Sequence, residues 1–210
     1  MDDQSVETTL YSLAATPPAM PLHDRQERYL SLLRVGTLVV GERRELCLIR
    51  NVSAGGMMIR AYSAICVGAA LAVELKQGEP VEGTVAWTKD GAIGIAFDEP
   101  IDVLELIAPS GDVPRPRMPR IELNAIAWVR EGADVRRTCL SNVSQGGICV
   151  ASTMPLTPDA EVIVTLTGLP PIAARVRWRD EERYGISFNR VLSLADLVGW
   201  LQSQRSKQAA

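Results

Sequence analysis

The amino-acid sequence predicts an all-β protein with short helices: two six-stranded antiparallel β-barrels in tandem, each followed by a short C-terminal helix. The first observation behind this is an internal repeat, which fixes an architecture before any local reading does. Adding 91 to a residue number carries Asn51-Val52-Ser53-Ala54-Gly55-Gly56 onto Asn142-Val143-Ser144-Gln145-Gly146-Gly147, five identities in six positions. The register then holds without a gap. It sets Val73 and Leu75 on Val164 and Leu166, Val85 and Trp87 on Val176 and Trp178, and Gly94-Ile95 with Phe97 on Gly185-Ile186 with Phe188. The matched residues include Trp, Phe, Gly and Asn, so shared low complexity does not explain them. The second observation is short runs of period-two alternation, as in Leu71, Val73, Leu75 and in Val81, Gly83, Val85, Trp87, the pattern of half-buried strands. The third is punctuation of those runs by turn residues: Gly41-Glu42, Gly55-Gly56, Gly68, Gly78-Glu79-Pro80 and Asp90-Gly91 in the first copy, and Gly132, Gly146-Gly147, Pro158-Asp159, Gly168 and Pro170-Pro171 in the second. Six short antiparallel strands in each copy fit a small barrel, which closes to remove its edges.

In chain order, residues 1–22 hold Thr16-Pro17-Pro18-Ala19-Met20-Pro21 without strong periodicity and are expected to form a flexible N-terminal arm. The first barrel is expected over 23–107, with strands at 30–40, 45–50, 57–61, 70–76, 81–88 and 92–98. After its last strand, Asp102 with Glu105 is an N-cap and third-position acid ahead of Leu104, Leu106 and Ile107, so a helix is expected there. A linker at 108–114 leads to a second barrel over 115–202. Ser193 with Asp196 caps the equivalent helix ahead of Leu197, Val198 and Leu201. Each helix should pack on its own barrel, and 203–210 should be a polar, frayed tail.

Composition removes several function classes. The chain of 210 residues is 47% hydrophobic and 22% charged, a globular balance with no run of about 18 apolar residues, so no membrane span is expected. The start, MDDQSVETTL, lacks the basic and apolar regions of a secretory signal, and a cytoplasmic location is expected. Cys47, Cys66, Cys139 and Cys149 include no C-x-x-C pair and are expected as buried small hydrophobes, without disulfides or a thiolate metal site. His23 is the single histidine, which leaves a Ser/His/Asp triad or an imidazole-held metal without its parts. A net charge of −3 gives no global field to hold a nucleic-acid polymer. Any phosphate binder must therefore be a local arginine cluster.

Arginines gather before each barrel: Arg25 and Arg28 before the first, Arg115, Arg117 and Arg120 before the second, in a chain with few lysines. Guanidinium groups grip phosphate oxygens bidentately and stack on bases; the alternative is a solvated linker pairing with Asp24, Glu27 or Asp112. Asn51 and Ser53, with their copies Asn142 and Ser144, offer donors and acceptors suited to a purine edge, in a strand connection. The glycines that follow, ending in Gly56 and Gly147, allow positive φ and close approach of a ligand. Here the alternative is a turn in which Asn and Ser satisfy their own backbone.

Together these features resemble the PilZ domain family of bacterial cyclic di-GMP receptors. The resemblance rests on the arginine-bearing segment before the first strand, the N-x-S-x-x-G stretch, and the closing pattern of Val85-x-Trp87 with Gly94-Ile95-x-Phe97 and of Val176-x-Trp178 with Gly185-Ile186-x-Phe188. It covers about 25–107 and 115–202 and implies PilZ-type barrels. It also implies a ligand, cyclic di-GMP, rather than a cofactor. Arginines would clamp its phosphates and stack on guanine, Asn51 and Ser53 or Asn142 and Ser144 would bond the guanine, and Gly56 or Gly147 would leave it space. One departure stands out. The family's R-x-x-x-R is out of frame in both copies: Arg25 is followed by Tyr29 in the second slot, and Pro116 precedes Arg120. Copy two, with three arginines, is the favoured site.

Trp87 and Trp178 are expected in core packing or barrel closure rather than base stacking. Arg43-Arg44, Arg136-Arg137 and Arg175-x-Arg177-x-Arg179 read as solvated strand faces, with Arg175 or Arg177 a minor second phosphate contact. No catalytic constellation is present, so an enzyme is not expected. Two readings remain. One is a cyclic di-GMP receptor that couples the ligand to a conformational change or a protein partner. The other is a degenerate, ligand-independent docking module in motility, envelope or polysaccharide machinery.

Overall fold

Alternation and turns produce the architecture they predict. The computed structural model describes residues 30–76, 79–103 and 118–208. Its first barrel contains β1 (Leu30–Val40), β2 (Arg43–Ser53), β3 (Gly56–Arg60), β4 (Ala70–Lys76), β5 (Glu79–Lys89) and β6 (Ala92–Phe97). The second contains β7 (Ile121–Glu131), β8 (Asp134–Ser144), β9 (Gly147–Ala151), β10 (Glu161–Leu166), β11 (Ile172–Asp180) and β12 (Arg183–Phe188). Both close, in the spatial orders β1-β2-β3-β6-β5-β4 and β10-β11-β12-β9-β8-β7. Closure comes from antiparallel pairing of β1 with β4 and of β7 with β10, which removes the exposed edges that invite aggregation. The N-terminal arm, the linker and the first copy's helix beyond Val103 lie outside the described residues.

Each barrel holds its own core. In the first, Leu38, Ile49, Ile59 and Val73 are fully enclosed; in the second, Val129, Val150, Val164, Leu166 and Val176 are. One helix is described, α1 (Leu194–Gln208). Its N-cap is as the sequence reads: the Asp196 amide donates to Ser193 Oγ at 3.0 Å, and the Ser193 hydroxyl donates to Asp196 Oδ2 at 2.6 Å. Leu197, Val198, Trp200 and Leu201 join the core of the second barrel, and the Trp200 indole donates to the Thr167 carbonyl at 3.1 Å. The helix continues through most of the segment expected as a frayed tail, because Arg205 finds a partner on the first barrel, Glu45 Oε1 at 2.7 Å.

The cysteines divide. Cys47 and Cys149 are buried, whereas Cys66 and Cys139 are exposed, against the expectation that all four pack inside. Cys66 lies between strands, and Cys139 takes the outward position of β8 opposite Ile126. Burial pushes the Cys47 thiol up to about 12, partly offset by a backbone hydrogen bond from Gly36.

Candidate functional site

Two β-bulges aim the site. Strict alternation would place Asn142 and Ser144 on the same side of β8 as Leu140, inside the barrel. The ladder with β9 shifts register between Leu140 and Asn142, and the extra residue reverses the alternation. Leu140 and Val143 are both buried three positions apart, which turns Asn142 to the outer face. β11 behaves likewise: its pairing with β12 shifts between Val176 and Trp178. Val176 stays in the core while Arg177 and Trp178 both come out, the re-aiming that bulges produce. One cross-strand row then runs Asn142, Cys149, Gly185, Trp178 over four neighbouring strands, and Ser144, Gly147 and Ser187 form the row beside it.

These rows floor a pocket of about 300 Å³ on the outer wall of the second barrel, lined by Arg120, Asn142, Ser144, Gly147, Arg177, Trp178, Arg183 and Ser187 among others. Among the described residues no carboxylate lines it. Elsewhere arginines meet acids, Arg44 with Glu74 at 2.6 Å, Arg136 with Glu131 at 3.0 Å and Arg175 with Glu161 at 3.1 Å. Among the described residues, Arg120, Arg177 and Arg183 make no such pair; Arg183 Nη2 lies 3.8 Å from Cys149 Sγ. Three guanidinium groups around one concavity favour anions there, with Glu122 and Asp180 standing across the ladders from Asn142 and Arg183.

Glycine shapes the floor in two places. A Cβ on Gly185 would fall 2.0 Å from Trp178 Nε1, so the indole occupies the space a side chain would take there. A Cβ on Gly147 would fall 2.3 Å from the Ile186 carbonyl oxygen. Gly147 is thus required by the approach of β9 to β12. Gly55, Gly56, Gly146 and Gly147 do not take the positive φ that glycine allows.

The structure brings Arg120, Asn142, Ser144 and Gly147 to one pocket. In the first barrel, Asn51 and Ser53 end β2 and Gly56 opens β3. Asn and Ser therefore stand at strand ends in both copies, because β2 and β8 run further than sequence alternation suggests, and not in the connection itself. Arg25, Arg28, Arg115 and Arg117 lie outside the described residues. The serines do serve their own turns: Ser144 Oγ donates to the Gly147 carbonyl at 3.3 Å and Ser53 Oγ to the Gly56 carbonyl at 3.0 Å. That engages the hydroxyl proton and leaves the oxygen able to accept. The lead-in passes close by, since a Cβ on Gly146 would come 3.2 Å from Met118 Sδ.

Trp87 and Trp178 are not core residues; they are 43% and 42% exposed on the outer walls. Period-two alternation would keep each on the side of the valine two before it, and the bulge between them is what breaks that rule. Of the minor candidates, Arg177 reaches the pocket, whereas Arg175 does not line it. Arg183 was missed altogether. The signal for it was available, because Arg183, Gly185 and Ser187 alternate on one face of β12.

Among the described residues no cluster of His, Cys, Asp and Glu has the makings of a metal site, and no helix is long and apolar enough to cross a membrane.

Comparison with known proteins finds the PilZ domain model matching twice, over residues 23–108 and 114–202. Similar solved structures include Borreliella burgdorferi PlzA in complex with c-di-GMP, 10% identical, covering 80% of this chain and 86% of that one, TM-score 0.37. Escherichia coli YcgR in complex with c-di-GMP is 14% identical over 84% and 85% of the two chains, TM-score 0.35. The Bacillus subtilis inhibitor of motility MotI/DgrA is 15% identical over 86% and 98%, TM-score 0.33. These superpositions are loose, and the family assignment rests on the paired domain matches. The comparison with curated proteins finds no match.

Proposed function

The chain belongs to the PilZ domain family, and from that membership and the pocket of the second barrel we propose that it is a cyclic di-GMP receptor that binds through this barrel. Occupancy is coupled to a conformational change or to a protein partner. One observation carries the reading: Arg120 shares with Asn142, Ser144 and Gly147 a pocket that, among the described residues, no carboxylate lines. A phosphodiester brings the negative charge that the guanidinium groups lack, and charge-assisted contacts of this kind are about twice as strong as neutral ones. The Asn142 amide supplies a donor and an acceptor to a guanine edge, and the Ser144 oxygen accepts. The Trp178 indole supplies an apolar wall. Binding makes and breaks no covalent bond.

Coupling follows from where the lead-in runs. Met118 lies beside Gly146, and Arg120 immediately precedes Ile121, which is anchored in the core at 3% exposure. A ligand held between Arg120 and the Asn142 row restrains the segment that enters the second barrel, and with it the relation of that segment to the first. Binding of this kind shifts a population rather than driving chemistry.

Calorimetric titration of the full chain with cyclic di-GMP tests the proposal. Arg120→Ala should weaken binding roughly ten- to a hundredfold, the loss of one charge-assisted contact of about 1.5–3 kcal/mol. Ser144→Ala should weaken it less, since its hydroxyl proton already serves the turn. Absence of binding by the wild type and both variants would overturn the receptor reading in favour of a ligand-independent docking module for motility, envelope or polysaccharide machinery.

A further inference from the structure

We infer that Arg177 and Arg183 form a second anion grip at the end of the pocket away from Arg120, and that this grip confines the ligand to the second barrel. The identity of the ligand rests on the functional reading above; the grip rests on geometry. Ile121 pairs with Val143, so Arg120 lines up with Ser144, whose row continues through Gly147 to Ser187. Arg183 lies on the same strand face as Ser187 at four residues' remove, ~13 Å along an extended strand. Arg177, the extra residue of the β11 bulge, stands next to Trp178. Cationic groups therefore stand on opposite sides of the floor, Arg120 at the Ser144 end of one row and Arg177 beside Trp178 at the far end of the other, while Glu122 lies across from Asn142. Such an arrangement suits a ligand that carries two anionic groups and planar rings.

The repeat supplies an internal control. The first barrel keeps the scaffold: Asn51, Ser53, Gly56, Trp87 and Gly94 match their counterparts, and the same bulge falls between Val85 and Trp87. It keeps none of the grip. Positions equivalent to Arg177, Arg183 and Ser187 are Ala86, Ala92 and Ala96, and the slot of Arg120 holds Tyr29. The first barrel instead sets Arg60 and Lys89 across the ladders from Ala92, so the two walls carry their cations in different places.

Calorimetry on the full chain reads this directly. Cyclic di-GMP should bind at one site per chain, and Arg177→Ala and Arg183→Ala should each weaken it about tenfold or more. The surface variant Arg137→Ala should bind as wild type. Loss of affinity in the two grip variants should come with a flatter dependence on salt, at an unchanged melting temperature. A stoichiometry of two, or wild-type affinity in both grip variants while Arg120→Ala fails, would overturn this inference and leave the receptor reading standing. Should cyclic di-GMP not bind, inorganic pyrophosphate followed by tryptophan fluorescence separates the two. Binding weakened by both grip variants would keep the grip and discard the receptor reading; no binding would discard both.

Discussion

At the scale of single residues, the pair of Trp178 and Gly185 sets the pocket floor. Replacing Gly185 by alanine puts a methyl 2.0 Å from the indole nitrogen, so the 42% exposed ring must lift off the sheet to make room. Gly185→Ala is expected to destabilise by about 1–3 kcal/mol, the range for overpacking, and to shift tryptophan emission as the ring moves. An unmoved melting curve and spectrum would show that the indole is not held by this glycine. Thiol chemistry supplies a second check. Cys66 and Cys139 are exposed and Cys47 and Cys149 are buried, so limited alkylation of the native protein should label the first two before the others by mass spectrometry. Cys47 is the extreme case, raised from 9.0 to about 12 by burial. The favoured form is the neutral thiol, so its stabilising contribution is intact below pH 9 and lost as pH rises towards 12. The site was half legible at this scale. Asn142, Ser144, Gly147 and Arg120 are visible as repeat and lead-in residues, while the placement of Trp178 was hidden because a bulge carries no distinctive residue of its own.

At the scale of elements, strands were the most legible part, since each is a short apolar alternation ended by a glycine, proline or acidic turn. What alternation missed was their length at the site: β2 and β8 extend to Ser53 and Ser144 by way of bulges that hide the period. The helix shows the complementary case. Its start was written in Ser193 and Asp196, and its end was not, because Gln204, Arg205 and Lys207 give no apolar stripe. Ser193→Ala removes the oxygen that accepts the Asp196 amide at 3.0 Å and should cost about 1 kcal/mol, read as a lower urea midpoint. Removing Trp200 is a larger loss. It takes away both a buried ring and its bond to Thr167, and Trp200→Ala is expected to cost about 3–5 kcal/mol. If the two variants melt alike, α1 is held by its cap rather than by its packing.

At the scale of the whole molecule, the same helix ties the second barrel to the first. Arg205 reaches Glu45 Oε1 at 2.7 Å and also donates to the Arg44 carbonyl. Gln202 Nε2 donates to the Tyr62 carbonyl at 2.7 Å. Leu46, a residue of β2, is 3% exposed and belongs to the second barrel's core cluster. These contacts join residues up to 161 positions apart, which is why no local pattern announced them. Among these contacts, the apolar seat of Leu46 and the ion pair of Glu45 differ in kind, and a mutant series can rank them. The Glu45 side chain is 10% exposed and that of Arg205 40%, so solvent screens the pair on one side. Ser63 Oγ also donates to Glu45 Oε2 at 2.5 Å, which leaves the carboxylate a partner when Arg205 is gone. Arg205→Ala should therefore cost only about 1 kcal/mol, whereas Leu46→Ala should cost about 2–5 kcal/mol. The wild type is expected to unfold in urea as one transition, and Leu46→Ala, which empties the shared seat, as two. If Arg205→Ala splits the transition and Leu46→Ala does not, charge rather than packing joins the barrels, and salt would then loosen a joint that apolar burial leaves insensitive to it.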